Sequence, residues 1–229
     1  MTVILGLKGT DHVVLASDTL EMRGPSEGMY RQLSHKLQRI NGSWAIGVSG
    51  SLDGLQIVRD LGEEKLDGLS EVTFLAVEQL ANRILDAYRK KGFSDEAWFL
   101  LVGIGDSGQP FIQNWRFKGE NGEVRIEGPR EQGSVAAIGA CNHGALYFAK
   151  EFQRETMSIE QNALLAFHCV AEVAKHDVRV GRPVDLIVVR KNGTPIRYTE
   201  TQLPEFVNRS EKITATISDY LLAEGLRLP

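Results

Sequence analysis

Two short apolar runs at the start of the chain constrain its fold more than any other feature. Residues 3–8 and 13–17 are rich in apolar and β-branched side chains, and the segment Gly9-Thr10-Asp11-His12 separates them. Two such runs joined by turn-forming residues predict a β-hairpin. The chain therefore begins with a pair of antiparallel strands, and the second strand ends at Asp18.

Asp18 is an unusual residue for the end of such a strand. Alternation along the strand places it on the same face as Val14 and Ala16, whose side chains favour burial. A buried carboxylate is costly unless a cation or hydrogen-bond donors compensate it. Lys36 is the next lysine along the chain, just before another apolar segment, and is the expected partner.

Thr2 directly follows the initiator methionine. We expect Met1 to be removed, which would leave a hydroxyl and a free α-amine on one residue. Such a residue combines a nucleophile with a candidate base, as in N-terminal threonine enzymes. A β-branched residue also suits the start of a strand, so Thr2 alone does not distinguish these two roles.

The rest of the chain alternates between blocks of strands and pairs of helices. This order fits two antiparallel sheets packed face to face with helices outside both. Asn-Gly pairs at residues 41–42 and 192–193 predict tight hairpin turns, the first of type I′. Residues 19–35 lack a clean period and predict a loop with an irregular strand. Further strands are predicted at residues 37–40, 44–49, 98–104, 111–117, 124–126, 135–138, 185–189 and 196–199, and helices at 51–61, 73–91, 142–154, 159–176 and 205–226.

Gly50 and Ser51 join a predicted strand to a predicted helix. Ser51 is a favourable N-cap residue, and Asp53 suits the positive end of the helix dipole. Backbone N–H groups at such a junction point toward whatever occupies the adjoining cleft, which makes Gly50 a candidate oxyanion donor. The alternative is that Gly50 only forms a tight turn.

Four parts of the sequence together resemble the motifs of proteasome β-type subunits and their bacterial relative HslV, which are N-terminal-nucleophile hydrolases. These parts are Thr2, residues 13–18, Lys36 and residues 45–53. The resemblance runs from Thr2 to about Tyr198. It implies an α+β fold, a four-layer αββα sandwich of two antiparallel sheets. Residues 1–204 would form a single domain, and residues 205–229 a C-terminal amphipathic helical extension of it.

The resemblance also implies a function, that of a threonine-type endopeptidase subunit in a self-compartmentalised ring. Its substrates would be peptides or unfolded proteins, and its partners further copies of the chain and, in addition, an ATP-dependent unfoldase or an α-type ring. The resemblance assigns the residues as follows: Thr2, Asp18 and Lys36 as catalytic, Gly50 as the oxyanion donor, Asp177 and Ser51 as supporting residues, and Leu20, Glu21, Met22 and Val48 as the substrate pocket.

The sequence departs from the family pattern at several positions. Two serines that support the catalytic threonine in the family align with Ala140 and Val180, and Leu20 replaces a frequent arginine. Ser51 or Asn142 could substitute for the missing hydroxyl groups. Two alternatives therefore stay open, a catalytically degenerate structural subunit and a small-molecule amidase of the same fold.

Composition excludes several other classes of protein. The net charge is −4, from 26 basic and 30 acidic residues, which argues against a nucleic-acid-binding surface. Two cysteines without a Cys/His cluster at metal-ligand spacing predict neither a disulfide framework nor a metal site, and no cofactor is expected. We expect a cytoplasmic protein, because the chain shows no signal-peptide pattern and no apolar run long enough to span a membrane.

Overall fold

The computed structural model describes residues 2–23, 30–50, 52–63, 74–93, 95–120, 123–139 and 142–222. Several residues named above lie outside this part of the chain, so the predictions made for them stay predictions. They are Met1, Ser51 and Ala140, together with the side chains of Glu21 and Met22.

Strands and helices follow one another in blocks, in the predicted order. The strands are β1 (Ile4–Lys8), β2 (His12–Asp18), β3 (Leu20–Arg23), β4 (Tyr30–Leu33), β5 (Leu37–Arg39), β6 (Trp44–Gly50), β7 (Ala97–Ile104), β8 (Pro110–Glu120), β9 (Glu123–Glu131), β10 (Val135–Ile138), β11 (Val184–Arg190) and β12 (Ile196–Thr199). The helices are α1 (Leu52–Glu63), α2 (Phe74–Lys90), α3 (Asn142–Phe152), α4 (Ile159–His176) and α5 (Pro204–Leu222), with a short 3₁₀ turn at Glu200–Gln202.

Two five-stranded sheets form the centre of the molecule. The first sheet has the order β10-β1-β2-β11-β12 and the second the order β5-β6-β7-β8-β9, with neighbouring strands antiparallel. The predicted N-terminal hairpin is the β1-β2 pair, in which Ile4 lies opposite Ser17. β3 and β4 form a separate two-stranded ribbon within the segment predicted as a loop with an irregular strand.

Three apolar layers account for the stacking. One cluster fills the space between the two sheets and includes Ile4, Leu15 and Leu100. A second joins the outer face of the first sheet to α3 and α4, and a third joins the outer face of the second sheet to α1 and α2. This arrangement confirms the predicted αββα sandwich. All seven residues of β2 are buried because its sheet is covered on both faces, which explains its nearly continuous apolar sequence.

The predicted type I′ turn at Asn41 and Gly42 is wrong, because neither residue has the positive φ that this turn requires. The Ile40 amide donates to the Trp44 carbonyl over 3.0 Å, and the Asn41 side chain accepts a hydrogen bond from the Ser43 amide over 2.8 Å. The asparagine side chain therefore replaces a backbone acceptor within the loop, and the strands still form a hairpin.

Helix α5 packs against α4 through polar as well as apolar contacts. His168 Nδ1 and Ser210 Oγ share a hydrogen bond of 2.8 Å, and Thr214 Oγ1 donates to Glu172 Oε1 over 2.7 Å. Helix α4 begins with a capping box, in which the side chains of Ser158 and Gln161 each bind the other's backbone amide.

Candidate active site

The Asp18 carboxylate lies at the centre of the candidate site and is fully buried. Its Oδ1 accepts a hydrogen bond from the Val3 amide over 3.1 Å. Its Oδ2 accepts one from the Lys36 ammonium over 2.8 Å and one from the Gly181 amide over 3.3 Å. The predicted pairing of Asp18 with Lys36 is therefore present, and the same carboxylate also fixes the backbone directly after Thr2.

Lys36 is held from both its side chain and its backbone. Its ammonium donates to the Leu20 carbonyl over 2.6 Å as well as to Asp18, and the residue is only 5% exposed. Its own carbonyl accepts a hydrogen bond from the Val48 amide of β6 over 3.0 Å. The Lys36 backbone is thus tied to the strand that ends at Gly50.

The electrostatics of this pair reflect its burial. Burial raises the pKa of Asp18, and the Lys36 charge and the hydrogen bonds from Lys36, Val3 and Gly181 oppose that rise. Two charges so far from water stabilise a fold only if each is well compensated. Four hydrogen bonds at the two charged groups supply that compensation, and they fix the ammonium in one place.

Thr2 lies against a glycine from a distant part of the chain. Gly139 has φ of +103°, and a Cβ atom there would overlap the Thr2 carbonyl oxygen and lie 3.0 Å from Ser49 Oγ. Only glycine fits this position without strain. The close approach brings the Ser49 hydroxyl beside the backbone of Thr2. Both Thr2 and Ser49 are buried, with 6% and 4% of their surface exposed.

Ser49 is a polar residue of the site that the sequence analysis missed. The sequence does contain a signal for it. Neighbouring residues of a strand face opposite sides of the sheet, so Ser49 and Val48 must point to different faces. Val48 belongs to the cluster that faces α1, so Ser49 points into the space between the two sheets. The Ser49 hydroxyl therefore borders the same glycine, Gly139, as the Thr2 carbonyl oxygen.

Gly50 makes the tight turn expected of it. Its φ is +96°, a Cβ atom there would overlap the Glu96 carbonyl oxygen, and the Trp98 ring would lie 3.1 Å away. The positive φ and the close contacts explain why glycine stands at this position, and the predicted oxyanion role stays a prediction.

A cleft of about 600 Å³ opens beside these residues. It lies between the end of β10, the start of α3 and the neighbouring strands β7, β8 and β9. Gly139 forms one of its walls, and Trp98, which packs against Gly50, forms another. A volume of this size suits a peptide segment or a small ligand.

The remaining predicted residues occupy distinct places. Asp177 caps the end of α4, and its carboxylate accepts hydrogen bonds from the Arg179 side chain over 2.6 and 2.8 Å. It begins the turn whose last residue, Gly181, binds Asp18. Val180 is buried among apolar residues, and the Asn142 side chain donates to the Ala137 carbonyl over 3.2 Å.

The predicted substrate pocket is described only in part. Leu20 is 8% exposed and packs closely on Gly181. A Cβ atom added to Gly181 would lie 2.8 Å from the Leu20 Cβ atom. Val48 is 3% exposed and faces α1. Glu21 and Met22 belong to β3, which continues from Leu20. The roles of all four pocket residues in specificity stay predictions.

Among the described residues, no cluster of three or more histidine, cysteine or acidic residues is arranged to hold a metal ion. Burial raises the pKa of Cys169 to about 12, so this thiol is not a nucleophile at neutral pH. Thr2 directly precedes Val3, whose amide binds Asp18, and its role as the nucleophile stays a prediction.

Comparison with known proteins assigns the family. A model of the family described as "Proteasome subunit" matches residues 2–189, which is most of the chain. The chain belongs to the proteasome subunit family. The match includes every residue of the candidate site described above.

Two archaeal relatives in this family are β-type subunits. The proteasome subunit beta of Methanosarcina barkeri is 24% identical over 195 residues, which cover 83% of this chain and 86% of that protein. The proteasome subunit beta of Methanococcus aeolicus is also 24% identical, over 212 residues that cover 90% of this chain and 92% of that protein. These matches support the predicted β-type family.

Solved structures confirm the fold. The Anbu (ancestral beta-subunit) of Yersinia bercovieri superposes with a TM-score of 0.74 at 16% identity and covers 99% of this chain and all of its own. A mutant Anbu of Hyphomicrobium sp. strain MC1 gives a TM-score of 0.71 at 18% identity and full coverage of both chains. In the part of the chain that is described, no helix is long and apolar enough to cross a membrane.

Proposed function

We propose that this proteasome-family chain is a threonine endopeptidase whose nucleophile is Thr2, exposed by removal of Met1. One observation carries the proposal. The Asp18 carboxylate binds the Lys36 ammonium with one oxygen and the amide directly after Thr2 with the other. A buried ion pair anchored beside an N-terminal threonine is an arrangement that activates a hydroxyl nucleophile.

The proposed reaction has two stages. The Thr2 hydroxyl oxygen bonds to the carbonyl carbon of the substrate peptide, and its proton passes through water to the Thr2 α-amine. The tetrahedral intermediate expels the amine of the product-side peptide, which takes the proton from the α-ammonium, and leaves an ester on Thr2. Water then attacks the ester, releases the acid product and restores the hydroxyl. An α-amine has an ordinary pKa of about 7.7–8.0, so an appreciable fraction is neutral at pH 7.

The neighbouring groups have complementary roles. Lys36 is a fixed positive charge that favours the developing alkoxide, and Asp18 holds it in place. The Gly50 amide donates to the oxyanion, and loss of one such donor typically costs about 2.7–4 kcal/mol of barrier. In this proposal Ser49 and Ser51 are hydroxyl residues that support the nucleophile. Asp177 supports the segment that leads to Gly181, whose amide binds Asp18.

Assembly follows from family membership. The relatives are subunits of proteasomes, so we propose that copies of this chain form a ring that encloses its active sites. Unfolded proteins and peptides are the proposed substrates. An ATP-dependent unfoldase or an α-type ring is the proposed partner, and the cytoplasm the proposed location.

A second candidate function is a structural subunit with a degenerate site. The specific observation in its favour is Val180, an apolar residue that is 2% exposed at a position where the family has a supporting serine. The compensated Asp18–Lys36 pair argues for activity, because a structural subunit has no need to bury two charges beside Thr2.

Hydrolysis of an unfolded protein tests the proposal. The wild-type protein, Thr2→Ser and Thr2→Ala would be compared on fluorescently labelled casein, with the removal of Met1 checked by mass. We expect Thr2→Ser to retain measurable activity because it keeps a hydroxyl and an α-amine, and Thr2→Ala to lose at least about 10³-fold. Equal activity of Thr2→Ala and wild type would reject Thr2 as the nucleophile.

A further inference from the structure

The inner face of the second sheet extends past the edge of the first sheet. Strand β8 carries apolar Ile112 on this face, within the core between the sheets, and then Asn114 and Arg116. The first sheet ends at β10, so these polar residues are not covered by it. They line the cleft of about 600 Å³ together with β10 and the start of α3.

A row of paired residues leads from the candidate site into this cleft. Ser49 lies opposite Trp98, Trp98 opposite Arg116, and Arg116 opposite Glu127. Paired residues in antiparallel strands point to the same face. Strands are separated by about 4.7–4.9 Å, so β8 lies about 10 Å and β9 about 14 Å from the strand that carries Ser49.

The topology indicates which half of a substrate would enter the cleft. In the first sheet, β1 lies between β10 and β2, so Gly139 and Asp18 are on opposite sides of Thr2. The predicted substrate pocket continues from β2 into Leu20 and β3, on the Asp18 side, and would hold the acyl half of the peptide. The cleft begins on the Gly139 side and is therefore in line with the other half of the peptide, beyond the scissile bond.

The charges in the cleft are complementary to a carboxylate. Arg116 is already paired, with Glu127 at 2.6 Å and Glu96 at 3.7 Å. Arg130 also lines the cleft and is exposed. It makes no direct ion pair among the residues that the structure describes, although the pKa of the nearby Glu127 carboxyl is lowered first by Arg116 and then also by the Arg130 charge. The His143 imidazole also lines the cleft, and the Trp98 ring supplies an apolar surface.

We propose that this cleft binds the product side of the substrate and that Arg130 recognises a carboxylate there. The inference rests on the proposed peptidase function. An extended peptide spans about 3.3–3.6 Å per residue, so β9 is reached by about the third to fifth residue after the scissile bond. The carboxylate is either an acidic side chain or the C-terminal group of a short substrate.

Matched peptides provide the first test. Internally quenched peptides with a single cleavage site would carry Asp or Asn at the fourth position after the scissile bond, or at the fourth position before it. Wild-type protein is expected to cleave the product-side Asp peptide about three- to fivefold faster in kcat/KM than its Asn counterpart. The same exchange before the bond is expected to have no effect.

Two variants identify the residue responsible. Arg130→Gln is expected to remove the preference for Asp. Arg125→Gln, which alters an exposed arginine of the same strand outside the cleft, is expected to retain it. Any of three results would overturn the proposal. Arg130→Gln could keep the preference for Asp, wild type could cleave the two product-side peptides at equal rates, or the preference could occur only for Asp before the scissile bond.

A binding experiment separates this proposal from the peptidase function. Product-type peptides with a labelled N-terminal residue would be titrated into Thr2→Ala and into Thr2→Ala/Arg130→Gln, with fluorescence anisotropy as the readout. Peptides with Asp and an amidated C-terminus report on side-chain recognition, and Asn peptides with a free C-terminus report on terminal recognition. Arg130-dependent binding of either kind supports the proposal even if no peptide is cleaved. Equal binding by the two proteins overturns it even if cleavage occurs.

Discussion

The Asp18 carboxylate lies 2.8 Å from the Lys36 ammonium, and its second oxygen accepts a hydrogen bond from the Val3 amide. One buried group therefore fixes both a positive charge and the backbone next to Thr2. This arrangement requires β1, β2 and the segment before β5 to meet at one end of the sandwich. Any change at Asp18 should consequently affect activity and stability together.

Asp18→Asn should leave the Lys36 charge buried without its partner. We expect the free energy of unfolding to fall by about 3 kcal/mol, because removal of one member of a buried ion pair is strongly destabilising. Peptidase activity should fall by about 10² or more, since the ammonium loses its fixed position. Urea denaturation and casein hydrolysis measure the two effects.

Asp60→Asn is the matched control for this change. Asp60 binds Lys91 over 2.9 Å, but both side chains are more than 40% exposed. Loss of this surface pair should cost less than about 1 kcal/mol and leave activity unchanged. Similar losses of stability in the two variants would contradict the importance assigned to burial of the Asp18–Lys36 pair.

Gly139→Ala should damage the site through the backbone. The new Cβ atom would overlap the Thr2 carbonyl oxygen, and the positive φ adds about 1–2 kcal/mol of strain for an L-residue. Displacement of Thr2 should reduce kcat at least about tenfold. Gly133→Ala adds a methyl group in open space on the connection between β9 and β10, before the strand that Gly139 follows, and kinetic assays should find it close to wild type. If both variants retain full kcat, Gly139 does not position Thr2.

His168 should make the packing of α5 depend on pH. Burial lowers the pKa of His168, while Glu172 raises it and Lys175 adds to the lowering. Ser210 of α5 and the Phe148 ring of α3 also contact the imidazole. Between the lowered pKa and the ordinary value of about 6.5, the unfolded chain binds more protons, so the free energy of unfolding should decrease as pH falls through 6.5.

Urea denaturation at pH 7.5 and 5.5 checks this expectation. His168→Asn should lose less stability than wild type between the two values, because it has no imidazole to protonate. His176→Asn, which changes an 80% exposed side chain on the same helix, should keep the wild-type pH dependence. The same pH dependence in His168→Asn and wild type would assign the effect to other groups.

The sequence predicted those features that depend on local pattern or on the cost of burial. Apolar, β-branched runs on either side of a turn identified β1 and β2, and helical periodicity identified α4. The Asp18–Lys36 pair was predictable because a buried carboxylate needs a partner.

Other features depend on long-range contacts that leave little local signal. Gly139 reaches Thr2 only because β10 pairs with β1, and Ser49 lies beside both because the two sheets are stacked. The ribbon of β3 and β4 was not predicted in full, because its residues have no regular period and its pairing is set by the surrounding structure. The turn at Asn41 and Gly42 also differs from the predicted type I′ turn, because the Asn41 side chain accepts the Ser43 amide hydrogen bond within the loop.

Intact-mass spectrometry with an epoxyketone tests the central claim most directly, because this reagent requires a hydroxyl and a free α-amine on the same residue. We predict loss of Met1, a single adduct on Thr2, and no adduct on Thr2→Ala. Lys36→Met should slow formation of the adduct without preventing removal of Met1. Retention of Met1, or a free Thr2 that never reacts, would contradict the account and identify the chain as a structural subunit.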